Sequence, residues 1–291
     1  MGHYRAAPLG RGRSLCRYAG GGYRHYLRRR PVAGANPQNH YCLLEDIRLQ
    51  GSDEQRAFFF NLVLQGHRFA NALSETGGKT VLDIRTRLEA RAEGLYINGR
   101  KGYCTGSLYA HWIGILALDA DDNAQLAFVP RDSAGLTVVD DWACLGQRNT
   151  ASGTVLAEDL AVQPFHLFPT WQSYATPTLA GPFAQLTTAA IDAGIARAAL
   201  NDTVAFVREF ARPWIDAGVE RAGDDPLTIY HIGQIDSRLA AAEALLERAG
   251  KTLDRYRHAA ERGERRPGFG GRRPRKGLHH RSGAGGRQPP V

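Results

Sequence analysis

The chain of 291 residues is long enough for one large domain or two, and its 43% hydrophobic content is typical of a soluble globular protein. Its charge is unevenly distributed: residues 1–44 hold eight Arg and no acid, and residues 257–291 hold nine Arg, one Lys and two Glu. Each end therefore carries +8, and because the total is also +8, residues 45–256 carry a net charge of −8. The pI near 9.5 thus gives no support for a nucleic-acid-binding core.

The cysteines and the apolar runs exclude several classes of protein. Cys16, Cys42, Cys104 and Cys144 form no C-x-x-C pair and no dense framework, which favours a reduced, cytoplasmic setting. No apolar run approaches the roughly 20 residues that a membrane helix needs. No His, Cys or carboxylate cluster has metal-ligand spacing, and no P-loop, Rossmann or G-x-S-x-G motif occurs. We therefore expect neither a membrane span nor a metal site.

Both end segments, residues 1–36 and 257–291, lack a hydrophobic period and are predicted to be disordered basic tails. Their Arg, Gly, Ala and Pro content is what a GC-rich gene yields when it is read out of frame. We therefore hypothesise that frame slips flank a genuine fragment. As RGG-like segments the tails would instead bind RNA weakly and with strong salt dependence, although the body of the chain contains no supporting module.

Order is predicted to begin at Pro37. Residues 52–66, SDEQRAFFFNLVLQG, predict a helix in which Ser52 is the N-cap and Gln55, three residues on, completes a capping box. Gly66 is expected to end this helix.

Short strands follow at a spacing near ten residues, which favours an all-β barrel or sandwich over alternating βαβ units. The Asn98-Gly99 dipeptide predicts a hairpin turn, because it supplies positive φ at low steric cost. The sequence DADDN at residues 119–123 predicts another turn. The predicted strands cover residues 69–70, 85–91, 95–97, 112–118, 126–129, 136–139, 154–156 and, as a further candidate, 160–162.

After residue 181 the hydrophobic period changes to that of a helix. Apolar residues between 193 and 207 step by three and four, and Asp225-Pro226 opens a second helix with Pro suited to its first turn. In that helix a strict 3-4 stripe runs from Ile232 to Leu253, which predicts packing in a helical bundle or a subunit interface.

Three polar motifs punctuate the strands and are expected to lie in loops, where binding groups usually sit. They are NALSET at residues 71–76, NGRKGYCTGS at 98–107 and GQRNTASGT at 146–154. The YCTGS sequence places an aromatic ring, a hydroxyl and a Gly together at a strand end. Flavin binding requires an apolar face for its ring system and polar groups near N5 and O4, and the ring and hydroxyl of YCTGS are groups of these two kinds. We therefore consider this segment a candidate flavin loop.

Each motif also has a structural explanation, and the residue pattern alone leaves the alternatives open. YCTGS could be a strand-end turn with a packed tyrosine, and NALSET could be a capped loop. Arg148 could bind a phosphate or pair with Asp140 or Asp141. Cys104 adjoins the proposed flavin loop, but a small buried thiol also accounts for it.

Matching sequences occur in order along the chain: PQNH, the segment of residues 69–80, YINGRKGYCTGSLYAHW, LAFVPRDSAGLTVVDDW, GQRNTASGTV, LAGPFAQL, AAIDAGIARAAL and ARPWIDAGVERA. Over residues 37–255 the chain thereby resembles the acyl-CoA dehydrogenase superfamily, in particular its sulfur-acquisition branch of flavin-dependent monooxygenases. The resemblance implies an α+β fold with a helical N-terminal domain, a middle β-barrel or sandwich domain and a C-terminal four-helix bundle. It assigns residues 37–67 to a remnant of the first, 68–170 to the flavin-contacting second and 178–256 to part of the third.

The resemblance also implies a set of site residues. Asn71 and Thr105 become the catalytic candidates, with the Thr105 hydroxyl near flavin N5 and Tyr103 beside the ring. Arg212 resembles the family arginine that contacts the phosphate end of the cofactor, although ARPW departs from the usual R-x-x-F-G. The implied cofactor-binding residues are Asn71, Ala72, Leu73, Ser74, Tyr103, Cys104, Thr105 and Arg212.

The segment at residues 74–80 departs from the dehydrogenase pattern. The usual T-E-P-x-x-G-S-D, which helps to grip acyl-CoA in true dehydrogenases, is replaced by SETGGKT. This favours the sulfur-acquisition branch. The resemblance to that branch implies a monooxygenase in which a reduced flavin, FMN or FAD with FMN preferred, comes from a separate flavin reductase and reacts with O₂ to oxidise a small organosulfur substrate. It also implies a homotetramer. The alternatives are an acyl-CoA dehydrogenase that oxidises a CH–CH bond with FAD, and an inactive fragment that acts only in oligomerisation or weak RNA binding.

The resemblance stops short of both ends of the family pattern. The family's catalytic base, Glu in dehydrogenases or His in the monooxygenases, lies in late C-terminal helices that this sequence does not match, and the early N-terminal helices are also missing. The sequence is therefore interpreted as truncated, and the isolated chain is expected to bind flavin weakly or not at all. Tight one-to-one binding in a fluorescence titration would contradict that expectation.

Overall fold

A computed structural model describes residues 35–81, 83–175 and 177–261. The first two helices are α1 (Ala35–Gln50) and α2 (Asp53–Leu64). Helix α1 begins two residues before the predicted onset of order at Pro37. The rest of the predicted N-terminal tail, residues 1–34, lies outside the described residues, as do residues 262–291 of the predicted C-terminal tail.

The predicted capping box of α2 is confirmed. The Ser52 hydroxyl accepts from the Gln55 N–H, and the Gln55 side chain accepts from the Ser52 N–H. The same Gln55 amide donates to the carbonyl oxygens of Phe165 and Leu167 at 2.7 and 3.2 Å. One side chain therefore both starts the helix and attaches it to the β-domain. Gly66 follows the helix with φ of +92°, a conformation that favours glycine.

The β-domain is one eight-stranded sheet. Its strands are β1 (Phe69–Ala72), β2 (Arg87–Arg91), β3 (Gly94–Lys101), β4 (Trp112–Leu118), β5 (Ala124–Pro130), β6 (Leu136–Val139), β7 (Thr154–Val162) and β8 (Leu167–Phe168). The order is β6-β7-β3-β2-β4-β5-β8, and β1 pairs in parallel with β4. Most pairs are antiparallel, so the prediction of an all-β unit without βαβ crossovers is confirmed.

The hairpin turn predicted at Asn98-Gly99 is wrong. The turn between β2 and β3 lies at Ala92 and Glu93, and Asn98-Gly99 lies inside β3, where the register with β7 shifts. The Asn98 side chain bonds there to Asp159 on β7. A Cβ at Gly99 would approach the Thr86 hydroxyl to 2.4 Å, so this glycine permits a close strand approach rather than a turn.

The two short strands predicted at 154–156 and 160–162 are one continuous strand, β7. Its first part, up to Ala157, is covered on one edge by β6, and its later residues pair only with β3. Glu158 and Asp159 lie beyond the part of β7 that pairs with β6, and both are exposed; Asp159 has φ of +47° and its N–H donates to the Asn98 side chain. That local exposure accounts for the polar interruption in the sequence.

Two hydrophobic cores lie on the sheet. One is built mainly from strand residues together with Cys104 and Ala110, and the other fills the space between the sheet and helices α1 and α2. Phe59 of α2 is fully buried in the second core, with ring centroids of Phe69, Trp112, Phe128 and Phe168 between 5.2 and 6.0 Å away. This aromatic packing fixes α1 and α2 against β1 and β4.

Helices complete the fold: α3 (Trp171–Ala175), α4 (Ala180–Glu209) and α5 (Pro226–Glu261). Arg197 of α4 joins the long pair by ion pairs to Asp236 and Glu243 of α5. Helix α5 starts at the predicted Pro but continues to Glu261, so the first five residues of the predicted tail at 257–291 are helical instead. Among the described residues no helix is long and apolar enough to cross a bilayer.

Candidate functional site

The segments that follow β1 and β3 lie side by side. The Gly102 N–H donates to the Ser74 carbonyl at 2.9 Å, and the Lys101 ammonium donates to the Leu73 carbonyl at 3.3 Å. The candidates Leu73 and Ser74 are thereby joined to the residues that lead into Tyr103, and Asn71 lies two residues before Leu73 on β1. Two motifs that are 26 residues or more apart in sequence thus form one surface, which we call the corner: residues 71–76 and 102–107.

A buried ion pair lies beneath the corner. Lys101 and Glu75 are 2.7 Å apart, and their side chains are only 1% and 8% exposed. Glu75 also accepts from the Thr86 hydroxyl and from the N–H groups of Thr86 and Arg85. Burial opposes the ionisation of Glu75, but the hydrogen bonds from Lys101, Thr86 and Arg85 lower its pKa to about 2. Burial also lowers the pKa of Lys101, because its ammonium loses hydration, and Glu75 opposes that shift.

The third polar motif, at residues 146–154, also reaches the corner. The Cys104 N–H donates to the Gly153 carbonyl at 2.9 Å, and the Gly106 N–H donates to the Thr150 carbonyl at 2.8 Å. The three motifs that the sequence singled out therefore converge at one place, although parts of the first two lie in strands β1 and β3 rather than in loops.

A chain of hydroxyl groups connects Thr105 to this third segment. The Thr105 and Ser152 hydroxyl oxygens are 2.7 Å apart, as are those of Ser152 and Thr150. The Thr150 hydroxyl donates onward to the Gln147 carbonyl at 2.9 Å. Thr150 and Ser152 are only 1% and 6% exposed, so water does not compete for their hydrogen bonds.

Backbone strain is concentrated in the same region. Tyr103, Gln147 and Ala151 have φ of +54°, +50° and +49°, a conformation that side-chain-bearing residues rarely adopt. Such strain costs of order 1–3 kcal/mol per residue and is often found at functional sites. It is maintained here by the hydrogen bonds that join residues 102–106 to the first and third motifs.

Tyr103 presents its ring at the surface. The side chain is 60% exposed and makes an edge contact with Trp142 at a centroid distance of 6.1 Å. Both rings line a shallow cleft of about 140 Å³ that Asp141 and Ser152 also border. Hydrogen bonds from Thr154 lower the pKa of Asp141, so its carboxylate is committed to that contact.

Asn71 carries a buried side-chain oxygen that has no hydrogen-bond partner among the described residues. An unpaired buried acceptor costs about 1–3 kcal/mol, which a ligand N–H or O–H would offset. The residue lies on β1 in register with Gly114 of β4, and a Cβ at Gly114 would lie only 3.1 Å from Leu43 and 3.2 Å from Phe128, so this part of the neighbouring strand is closely packed.

Two other candidates have buried side chains. Ala72 and Cys104 are fully buried, and burial raises the pKa of the Cys104 thiol to about 12. Cys104 therefore remains a protonated thiol, and its backbone N–H and carbonyl are both used within the fold. Both side chains belong to the hydrophobic core beneath the corner and are not accessible to a ligand.

The structure also brings His40, the last residue of the PQNH sequence, to β1. Its Nδ1 accepts from the Phe69 N–H at 3.2 Å, and its ring stacks on Phe69. Burial, with Arg68 adding to it, lowers the pKa of His40 to about 4, so the ring is neutral and carries its proton on Nε2. Its place beside β1 depends on helix–strand packing, for which the PQNH sequence holds no signal.

Arg212 is not brought to the other candidates. It is exposed and lies after the end of α4, whose 30 residues extend over about 45 Å. No contact joins it to residues 71–76 or 102–107 in the part of the chain that the structure describes.

Comparisons with known proteins agree with this architecture. Residues 70–160 match the acyl-CoA dehydrogenase middle domain, and residues 186–272 match the acyl-CoA dehydrogenase C-terminal domain. A dibenzothiophene monooxygenase of Rhodococcus erythropolis is 30% identical over 220 residues, which are 71% of this chain and 53% of the relative. The probable FMNH2-dependent monooxygenase SfnC of Pseudomonas putida is 27% identical over 220 residues, 74% of this chain and 54% of the relative.

Among solved structures, FMN-bound TdsC from Paenibacillus sp. A11-2 superposes with a TM-score of 0.78 at 28% identity, covering 87% of this chain and 66% of that one. The chain spans about half the length of the curated relatives it matches. The two matched domains together cover more than half of the chain, and their order agrees with that of the β-domain and the helices α4 and α5. The second match continues to residue 272, into the segment predicted from the sequence to be a tail. The chain therefore belongs to the acyl-CoA dehydrogenase family.

Proposed function

We propose that the chain forms the flavin-contacting part of a reduced-FMN-dependent monooxygenase that oxidises a small organosulfur compound. The printed activities of the dibenzothiophene and FMNH2-dependent relatives support this reaction class. The FMN in the similar TdsC structure supports the choice of FMN over FAD.

The observation that supports the proposal most directly is that the segment of residues 71–76 is hydrogen-bonded to the segment of residues 102–107, which holds Tyr103 and Thr105. A flavin needs a flat contact surface and polar groups at the edge of its ring system. The exposed Tyr103 ring meets the first need, and the Asn71 oxygen and Thr105 hydroxyl meet the second.

The residues present fit a flavin, because the unpaired Asn71 oxygen can accept a hydrogen bond and reduced flavin has N–H donors at its ring edge. Asn71, Tyr103 and Thr105 would contact the ring, and Leu73 and Ser74 would add backbone groups. When bound, reduced FMN supplies the two electrons with which O₂ gives one oxygen atom to sulfur and one to water. The chain's own part is to orient the ring, to hold protons in place and to limit the access of water.

The segment after Ser74 supports a monooxygenase over an acyl-CoA dehydrogenase. Glu75 is used inside the fold by Lys101 and Thr86. Asp83 accepts from the backbone N–H groups of Lys79 and Thr80, which closes residues 79–83 on themselves. Groups that could grip a long acyl-CoA are therefore already satisfied within the chain.

The proposal extends to partners. A separate flavin reductase would deliver reduced FMN, and the chain would assemble as a homotetramer. The predicted weakness of flavin binding by the isolated chain remains a prediction, so activity is to be tested at saturating flavin.

The test compares two reactions of the full chain. With a flavin reductase, FMN and O₂, we expect oxygenated product from dibenzothiophene or a small sulfone, detected by mass spectrometry. Dye reduction by acyl-CoA substrates with FAD is expected to be absent. Asn71→Ala and Thr105→Val should each lower product formation at least tenfold, whereas Asn61→Ala, on the exposed side of α2, should not. Acyl-CoA-dependent dye reduction without sulfur oxidation would overturn the proposal.

A further inference from the structure

The hydroxyl chain at residues 147–152 ends on a carbonyl oxygen, which can only accept. Thr150 donates to this Gln147 oxygen at 2.9 Å and has no second proton to give. In the bond between Thr150 and Ser152, at 2.7 Å, Ser152 must then be the donor.

The same reasoning extends to Thr105. Because the Ser152 hydroxyl donates its proton to Thr150, it must accept from the Thr105 hydroxyl across their 2.7 Å contact. The other acceptor near the Thr105 hydroxyl is the Tyr103 carbonyl at 3.5 Å, which also lies within the corner. With either acceptor, the Thr105 hydroxyl donates its proton within the protein. Its oxygen lone pairs therefore remain to accept a hydrogen bond from a ligand.

The reversed arrangement has fewer hydrogen bonds. If Thr150 donated to Ser152 and Ser152 to Thr105, the Thr150–Gln147 bond would be lost and the Thr105 proton would have only the distant Tyr103 carbonyl. A net hydrogen bond of roughly 1 kcal/mol corresponds to about fivefold in an equilibrium constant, so the inward direction prevails by about that factor. The left-handed φ of Gln147 is the conformation in which its carbonyl caps the turn at Thr150.

We propose that Thr150 and Ser152 are positioning residues that hold the Thr105 hydroxyl as a hydrogen-bond acceptor, so that the site prefers reduced over oxidised flavin. Flavin N5 carries a hydrogen only in the reduced form, and in the oxidised form it is an acceptor that would face the Thr105 lone pairs. This inference rests on the proposed function, and it adds the residues that set the preference for one redox form.

Two variants test the direction of the chain. Ser152→Ala removes the acceptor of the Thr105 proton. Thr150→Val removes the acceptor of the Ser152 proton, so that Ser152 can donate to Thr105. The Gln147 carbonyl keeps its bonds from the Trp142 indole and the Thr150 N–H in the second variant. Ser152→Ala leaves the Thr105 proton only the weak contact with the Tyr103 carbonyl at 3.5 Å, and in Thr150→Val the Thr105 oxygen accepts from Ser152, so in both variants the Thr105 proton becomes available to a ligand acceptor.

The measurement is the dissociation constant of oxidised and of anaerobically reduced FMN for each variant of the full chain. We expect the ratio of oxidised to reduced constants to fall about fivefold in both variants. Ser133→Ala and Thr203→Val each delete a hydroxyl that donates to a carbonyl elsewhere and should leave the ratio unchanged. A ratio that stays within twofold of the unmodified chain in both variants would overturn the inference.

A second measurement needs no flavin. NMR couplings of the shielded Thr150 and Ser152 hydroxyl protons report their directions, and we expect Thr150 to point to Gln147 and Ser152 to Thr150. A Thr150 proton that points to Ser152 refutes the inference. Should the unmodified chain bind neither form of FMN measurably, the NMR result decides the direction of the hydroxyl chain, and the proposed function is decided separately by the oxygenation assay at saturating flavin.

Discussion

Replacement of Lys101 by Met tests whether the buried ion pair holds the corner together. The substitution keeps most of the apolar length of a side chain that is 1% exposed but removes its charge. The Glu75 carboxylate would then remain in the interior without its cation. Removal of one partner from a buried pair costs about 3–5 kcal/mol.

The remaining bonds of Glu75 set the expected value within that range. The Thr86 hydroxyl at 2.7 Å and the N–H groups of Arg85 and Thr86 at 2.9 and 3.0 Å still donate to the carboxylate. We therefore expect a loss of about 3 kcal/mol in the free energy of unfolding. Combining Lys101→Met with Glu75→Gln should recover at least about 1 kcal/mol of this loss, because no unpaired charge is then buried.

Urea unfolding followed by circular dichroism measures both values. Arg87→Met is the matched control, because its ion pair with Asp122 lies on the same sheet but is 46% and 73% exposed. Exposed pairs of this kind contribute below about 1 kcal/mol. Hydrogen exchange should also accelerate at the Gly102 N–H, which bonds to Ser74, more than in β4 and β5. A Lys101→Met loss no larger than that of Arg87→Met, or uniform acceleration across the sheet, would refute the reasoning.

Three further predictions concern the surroundings of the corner. The pKa of His40 is lowered from 6.5 to about 4, so as the pH falls the unfolded chain binds a proton at this residue before the folded chain does. The free energy of unfolding should therefore fall by about 3 kcal/mol between pH 6.5 and pH 4. Urea titrations of the unmodified chain and of His40→Gln measure this, and an equal pH dependence in both would contradict it. Gly106→Ala should cost about 1–2 kcal/mol in thermal unfolding, because φ is +82° and the new Cβ would lie 3.3 Å from the Asn36 side-chain oxygen; a neutral effect would show that the backbone relaxes. Phe59→Ala should cost about 3–5 kcal/mol, since its fully buried ring contacts the aromatic core, and a loss below about 2 kcal/mol would mean that the core refills the cavity.

Features with a local cause could be predicted from the sequence. The capping box of Ser52 and Gln55 needs only four consecutive residues, and β4 follows directly from a continuous apolar run. The turn predicted at Asn98-Gly99 was wrong because the conformation of this dipeptide has a long-range cause. Its glycine is required by contact with Thr86 on another strand, and that tertiary contact overrides the turn preference of the dipeptide.

The site shows the same division between local and long-range information. The three polar motifs could be found in the sequence, but not the reason why they meet. A lysine such as Lys101 is normally expected at the surface, and only its pairing with Glu75 across 26 residues explains its burial. His40 was missed as a neighbour of β1 because its partner is a backbone N–H, which leaves no mark on residue type.

The strained backbone and the buried charges of the corner are complementary. Left-handed φ at Tyr103, Gln147 and Ala151 is unfavourable unless neighbouring contacts hold it, and the ladder of N–H bonds to Gly153, Thr150 and Ser74 supplies them. The strained backbone conformation orients two side-chain groups, the exposed ring of Tyr103 and the hydroxyl of Thr105. A relaxed loop with the same residues would present a mixture of directions, and could not distinguish a ligand N–H from a ligand lone pair. The ion pair, the strained residues and the hydroxyl chain therefore act on the same outcome, which is the orientation of polar groups before any ligand arrives.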